Sequence, residues 1–392
     1  MLKSLIVSMS LIATPVFVTP LAAQTCGGTF SAFLGGVVDE ATTNGIDRAT
    51  AEGFLAGAQQ DQAVLTADLS QGFFQRDFID FSQRLISNNR IENGRVQAQR
   101  QDAIFDRIES EFGIPRGVLL AFWAFETDFG AVQGDFNTRN ALLTLAHDCR
   151  RPELFRPQIF AAMELFARGD FNPATTTGAW AGEIGMVQML PGDIIENGRD
   201  GDGDGHVTLK TSAPDALLSG ASVLSSLGWQ AGQPWLQEVT VPTDMDWALS
   251  GTETKLAASD WAAMGVSARS GSLADLQANL ILPMGRKGPA FLAYPNFDVY
   301  FEWNQSFVYV LTAAYFGTRL QGAPVYNAGN PDAGLNGEQI QALQRKLQAR
   351  GHDVGGADGI LGARSRIAIQ AEQTRLGLPA DAWPTAALLN AL

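Results

Sequence analysis

The apolar positions of this chain recur mostly with helical spacing. The sharpest run is Val118-Leu119-Leu120-Ala121-Phe122-Trp123-Ala124-Phe125, which Glu126 ends. Pro115 sits near the first turn, and the run predicts a buried helix with Gly130 as its exit. Upstream, Phe30 to Ala41, Ala49 to Gln59 and Gln97 to Phe112 read as helices, the last with Ile104, Phe105, Ile108 and Phe112 on one face. Ser87-Asn88-Asn89 and Glu92-Asn93-Gly94 read as a break and a turn. An aromatic-rich stretch holding Phe73, Phe74, Phe78, Ile79 and Phe81 lacks a clean period and reads as a wrap around the core.

Downstream, Asn140 to His147, Phe155 to Phe166, Asp215 to Leu227, Leu256 to Ala263, Leu273 to Leu282 and Phe307 to Leu320 read as further helices. Residues 321–334, with Gly322, Pro324, Gly329, Pro331 and Gly334, read as a linker. Beyond it, Ile340, Leu343 and Leu347, then Ile367, Ile369 and Leu376, mark two helices of a small second unit over residues 335–392. The predicted class is mainly α.

Composition adds limits. The 392 residues are 46% apolar and 17% charged, with formal net charge −14. Such an acidic balance, without a basic cluster, gives no nucleic-acid groove. It also offers no bulk attraction to an anionic polymer, so a saccharide would be held by hydrogen bonds and aromatic faces.

The first 23 residues read as a signal peptide: Lys3, an apolar stretch from Leu5 to Val18, then Leu21-Ala22-Ala23 as the cleavage approach. Residues around Cys26 lack the small-residue approach of a lipoprotein signal. The expectation is a soluble exported protein with no transmembrane segment after cleavage. The two cysteines, Cys26 and Cys149, form a disulfide in an oxidising compartment or remain two buried thiols. Neither has metal-site spacing, and the three histidines are scattered.

Two stretches carry candidate chemistry. A carboxyl at the end of an apolar helix has its pKa raised by burial and can hold a proton near neutrality, as a general acid for glycosidic cleavage must. Glu126 fits that role, or it caps its helix or pairs with Arg139. Separately, Asp200, Asp202 and Asp204 stand at positions 1, 3 and 5 of an acidic loop with Gly205 at 6, an oxygen set suited to calcium. Thr211 occupies position 12, so the next candidate to close the loop is Asp215. His206 would contribute its backbone carbonyl. The alternative is a solvated acidic turn.

Several ordered motifs resemble one family. Glu126, Phe129 and Gly130, then Ala141 to Ala146, Gly182 to Pro191 and Asn296-Phe297 are similar to the catalytic domain of the membrane-bound lytic murein transglycosylase B family, over roughly residues 30–320. The resemblance implies a lysozyme-like fold over residues 24–320 and a single acid/base, Glu126. It implies Gln188, whose side chain could otherwise serve a tight turn, as a sugar contact, and Asn296, Trp303 and Asn304 as groove residues. Trp303 stands where Tyr is usual, exchanging a hydroxyl for an indole donor. Asp215 matches the Asp that closes a calcium loop in the family. Glu183 stands where Ala is usual, so no role carries over to it. Asp358-Gly359 with Gly362 make the C-terminal unit resemble a three-helix peptidoglycan-binding domain; Glu372 and Trp383 depart from that pattern.

The implied activity is non-hydrolytic cleavage of the N-acetylmuramic acid to N-acetylglucosamine bond by a periplasmic monomer acting on peptidoglycan glycan strands. It requires no catalytic cofactor, and calcium would be structural. The competing readings are a hydrolytic muramidase with Asp128 or Glu183 as helper, and a non-catalytic peptidoglycan-binding protein. Glycosidases that use water normally set two carboxyls about 5–5.5 Å or about 6.5–9.5 Å apart.

Overall fold

The computed structural model describes residues 26–69 and 76–392. The expected leader over residues 1–23, and Phe73 and Phe74, lie outside the described residues.

The fold is organised around one helix, Arg116–Thr127, in which every residue from Gly117 to Ala124 is buried. It crosses the helix Phe307–Leu320 at very short range. A Cβ on Gly117 would stand 2.6 Å from the Gly317 carbonyl oxygen, so this crossing excludes any side chain there. Around the pair pack Thr138–His147, Pro152–Arg168 and Ala213–Ser226, whose inward faces are apolar. Phe78 and Phe81 are buried in the same core, as expected of a wrap.

The Asn-Gly text is not a turn. Ser87 caps a helix, Asn88–Arg100, that runs straight through Asn93 and Gly94. A Cβ on Gly94 would stand 2.6 Å from a Leu320 methyl, so a side chain there would have to displace it. Gln101 then breaks the predicted Gln97 to Phe112 helix, and Asp102–Phe112 follows as a separate one.

The segment read as a helix from Leu273 to Leu282 is instead a strand, Gln277–Ile281, in a five-stranded antiparallel sheet. The sheet order is Leu256–Ala257, Gln277–Ile281, Ala290–Ala293, Leu236–Thr240, Ser267–Ala268. Leu280 pairs with Leu292, and Leu292 with Gln237. Residues Ala278 to Ile281 are all buried, so the strand lacks the alternation that marks a half-exposed sheet. Trp247, Trp261 and Tyr294 complete this second core.

The C-terminal unit has three helices, Gly337–Ala349, Ala363–Arg375 and Ala386–Ala391, around Leu343, Leu347, Ile369 and Leu388. The connector before it contains no helix, yet it is pinned. The Tyr326 and Ser82 hydroxyls are 2.9 Å apart, Asn330 N donates to the Lys287 carbonyl at 2.9 Å, and Trp383 Nε1 donates to the Asp332 carbonyl at 2.8 Å. Cys26 and Cys149 are disulfide-bonded, tying the start of the described chain to the end of the Thr138–His147 helix. No helix among the described residues is long and apolar enough to cross a membrane.

Candidate active site

The helix that carries Glu126 ends earlier than Gly130. Asp128 and Phe129 both adopt left-handed backbone, φ 51° and 59°, and the Asp128 amide closes on the Ala124 carbonyl. Neither is glycine, so the turn holds backbone strain just past the acid. Local contacts hold it. Arg90 Nε reaches Asp128 Oδ1 at 3.0 Å, and Phe129 packs edge-on against Trp123. Thr127 Oγ1 donates to the Met186 carbonyl at 2.6 Å and accepts from Gly130 N at 2.9 Å, tying the acid's helix to the Gly182 to Pro191 segment.

Glu126 keeps a partly exposed edge while protein surrounds it closely. Burial pushes its pKa up to about 7, against hydrogen bonds from Tyr309 and Trp303 that favour the ionised form; the charge of Glu183 adds a small upward push. Trp303 Nε1 donates to Glu126 Oε1 at 3.1 Å, and the Tyr309 hydroxyl donates to the same oxygen. The Trp303 indole stacks on Phe122, centroids 4.5 Å apart, which fixes the donor's direction. Arg139 is not a partner of Glu126: it spends its guanidinium on the carbonyls of Phe54, Ala56 and Gly57.

Tyr309 escaped the sequence reading. Its signal is faint: one hydroxyl in the apolar first turn of a helix that carries other hydroxyls further on, six residues after Trp303.

The other expected groove residues divide. Gln188 sits in left-handed backbone, φ 55°, and its Nε2 donates to the Gly185 carbonyl at 2.7 Å, which is the tight-turn arrangement. Its Oε1 accepts no hydrogen bond among the described residues. Asn304 accepts from Ser306 N at 2.8 Å and shapes the turn between Trp303 and Tyr309. Asn296 corrects the expectation. It is fully buried, accepting from Gln230 N at 2.7 Å and donating to the Gln230 and Gln233 carbonyls, both at 2.8 Å. Both donors and one lone pair hold a loop, and full burial leaves no surface for a sugar. Asp128 is engaged by Arg90, whereas Glu183 has a buried Oε2 without a partner among the described residues, and burial raises its pKa.

In the acidic loop, one carboxylate oxygen from each of Asp200, Asp202 and Asp204 lies within 4.8 Å of the others. Oxygens bound to one calcium at about 2.3–2.6 Å would be spaced this closely, so the donor set fits a hard divalent cation. Asp215 stands apart from this cluster. It is fully buried and accepts from the amides of Gly201 at 2.9 Å and Thr208 at 2.8 Å, bracing the loop through its backbone. The His206 ring turns away to Asp170, with Nδ1 2.8 Å from Oδ1.

Comparisons with known proteins agree with this geometry. Residues 29–318 match the transglycosylase SLT domain, and residues 336–392 match a peptidoglycan binding domain. The chain thus belongs to the transglycosylase SLT domain family, the lytic transglycosylases that cleave peptidoglycan, and it ends in a peptidoglycan-binding helical domain. It is 25% identical over 243 residues to membrane-bound lytic murein transglycosylase B of Escherichia coli (strain K12), a match covering 61% of this chain and 66% of that protein. SltB3 from Pseudomonas aeruginosa, solved in complex with NAG-anhNAM-pentapeptide, is 35% identical with a TM-score of 0.85, covering 93% of this chain and 99% of the other. Escherichia coli Slt35, solved in complex with calcium, shares the fold at 24% identity and a TM-score of 0.65, over 78% of this chain and 98% of the other.

Proposed function

We propose that the protein cleaves the bond between N-acetylmuramic acid and N-acetylglucosamine without adding water, with Glu126 as its one acid and base. Protonated Glu126 donates to the glycosidic oxygen as the C1–O bond breaks. The resulting carboxylate takes the proton of the muramoyl C6 hydroxyl, whose oxygen bonds to C1 and closes the 1,6-anhydro ring. Atoms balance without water, and Glu126 recovers its proton for the next cycle. The observation that carries this reading is a carboxyl with a pKa of about 7, partly open to solvent, with two donors on a single oxygen. The anhydro sugar bound by the Pseudomonas relative supports the product assignment. Asp128, one of the two candidate helpers for hydrolysis, is tied to Arg90.

Around this acid, Trp303 and Asn304 would line the sugar groove and Gln188 Oε1 would accept from a sugar hydroxyl or amide. A structural calcium ion would sit on Asp200, Asp202 and Asp204, with the His206 carbonyl as a further ligand. We further infer export by a leader cleaved after Ala23 and a soluble, monomeric life in the periplasm. There the catalytic part would span residues 24–320, the connector 321–334 and the peptidoglycan-binding part 335–392.

The test is digestion of purified peptidoglycan followed by mass spectrometry. Products at the anhydro mass support the reading; products heavier by one water would assign a muramidase and bring Glu183 forward as helper. Glu126→Gln should cut release by about 10²–10⁴-fold while retaining glycan binding. Persistent release by that variant removes Glu126 from the role.

A further inference from the structure

The C-terminal helical unit is bolted to the catalytic part. Arg286 Nη1 meets Asp381 at 3.0 Å, and Gln370 Nε2 donates to the carbonyls of Ser250 at 2.8 Å and Trp247 at 3.2 Å. Between the two parts lies a cleft of about 800 Å³ whose walls include Ser306, Phe307, Asn336, Arg366 and Trp383. Phe307 stands between Asn304 and Tyr309, so the cleft and the catalytic acid share one short segment of chain.

Arg366 is the unusual residue in this cleft. Its guanidinium lies over the Phe307 ring at 4.4 Å and near the Trp383 ring at 5.9 Å. Nη2 donates to the Pro283 carbonyl at 2.8 Å, Nη1 makes no hydrogen bond among the described residues, and neither does Nε, which is sealed from solvent. Burial lowers its pKa to about 9, the nearby Asp381 charge working the other way, so it stays cationic at neutral pH without a bonded counter-charge.

The acids around it are already committed. Asp381 is held by Arg286 and by Gln373 Nε2 at 3.1 Å. Asp80 is held by Arg76 at 2.6 Å and Arg84 at 2.8 Å, Asp77 accepts from Asp80 N at 2.9 Å, and Asp332 pairs with Lys287 at 2.7 Å. A buried guanidinium with free donors and two aromatic faces suits a carboxylate attached to an apolar chain.

We propose that this cleft binds the peptide stem carried by the muramoyl unit, with Arg366 receiving a stem carboxylate and Phe307 and Trp383 lying against the apolar side chains. The proposal rests on the peptidoglycan reading above and names the part of the substrate that reaches the second domain.

The experiment titrates the full mature chain calorimetrically with a soluble disaccharide pentapeptide, and with the same compound after its stem carboxylates are converted to amides. Amidation should weaken binding to the wild-type chain about tenfold, the usual worth of a hydrogen bond to a charged group. That penalty should shrink in Arg366→Lys, which keeps the charge without the fork, and vanish in Arg366→Gln. Equal affinity of the wild-type chain for the acid and the amide overturns the proposal, as does a full penalty in both variants. The wild-type arm needs no variant to fold, and binding is read without turnover. Failure of the anhydro-product assay would therefore sink the catalytic reading alone.

Discussion

The Tyr309 hydroxyl and the Trp303 indole both donate to Oε1 of Glu126, and no hydrogen bond among the described residues reaches Oε2. One carboxyl oxygen is anchored, and the other is left to carry the mobile proton. Donors to a carboxylate stabilise its ionised form, so Tyr309 holds the acid's pKa below the value burial alone would impose. Removing that donor must raise it. Wild-type activity should fall as pH rises through about 7, where the acid is lost. In Tyr309→Phe this alkaline limb should move upward by roughly one pH unit, since a hydrogen bond to a charged group contributes about 1.5–3 kcal/mol and one unit is about 1.4 kcal/mol. A pH profile of kcat/KM for both proteins decides it. A limb that stays put or moves down would mean that Tyr309 does not tune the acid.

The same carboxyl is a stability liability at alkaline pH. Its pKa is raised on folding, from 4.5 to about 7, so the native state binds the proton more tightly than the unfolded one. The favourable contribution is complete below pH 4.5 and is lost as pH rises through about 7. Glu126→Gln, which cannot ionise, should match the wild type near pH 4.5 and exceed it near pH 8. The gain should be roughly 1–3 kcal/mol, discounted for the solvent that reaches the groove. Urea unfolding at the two pH values measures it. Equal stability at both would show that Glu126 is not the buried acid inferred here.

Much of this site was legible because one helix carries it. The run from Val118 to Phe125 is apolar on every face, as a buried helix allows, Pro115 marks its start, and the carboxylate ending it was conspicuous. The acidic loop was legible through its spacing. Pairings distant in sequence were not. Gln277–Ile281 is buried on both faces beside Ala290–Ala293, so its text has no period to separate strand from helix. Asn296 was expected in the groove from the family resemblance, but its amide faces the loop at Gln230, 66 positions away. Gly94 read as a turn because nothing local announces that Leu320 will press against it.

The Cys26–Cys149 bond closes a loop with a sequence separation of 123, so it removes much freedom from the unfolded chain. Cys149→Ser should therefore lower unfolding free energy by about 2–4 kcal/mol. The loss should appear as a lower urea midpoint, and reduction of the wild type should reproduce it. Activity at low temperature should persist, because the bond joins the chain near Gly27 to the end of the Thr138–His147 helix and touches no partner of Glu126. A variant as stable as the oxidised wild type would show that the bond constrains nothing beyond what packing already fixes.

The three carboxylates of the acidic loop repel one another at close range, and their backbone partners offset this only in part. Asp200 alone accepts from the amides of Gly203 at 2.6 Å and Gly205 at 2.8 Å, which holds its carboxyl below the usual range and keeps the charge in place. A bound calcium ion would cancel that repulsion in the native state only, so it should raise Tm in a concentration-dependent way. Adding chelator to protein prepared with calcium should lower Tm by a few degrees, and Asp202→Asn should blunt the response. Magnesium should be a poor substitute, because it prefers a stricter octahedral shell and retains water. The segment after the loop reaches the site through Leu209, whose carbonyl accepts from Met186 N at 2.9 Å, while the Met186 carbonyl receives Thr127. Calcium should therefore also steady the turn beside Glu126 and raise activity near the melting range more than at low temperature. Melting curves and rates that are identical in calcium and in chelator would remove the ion from this loop.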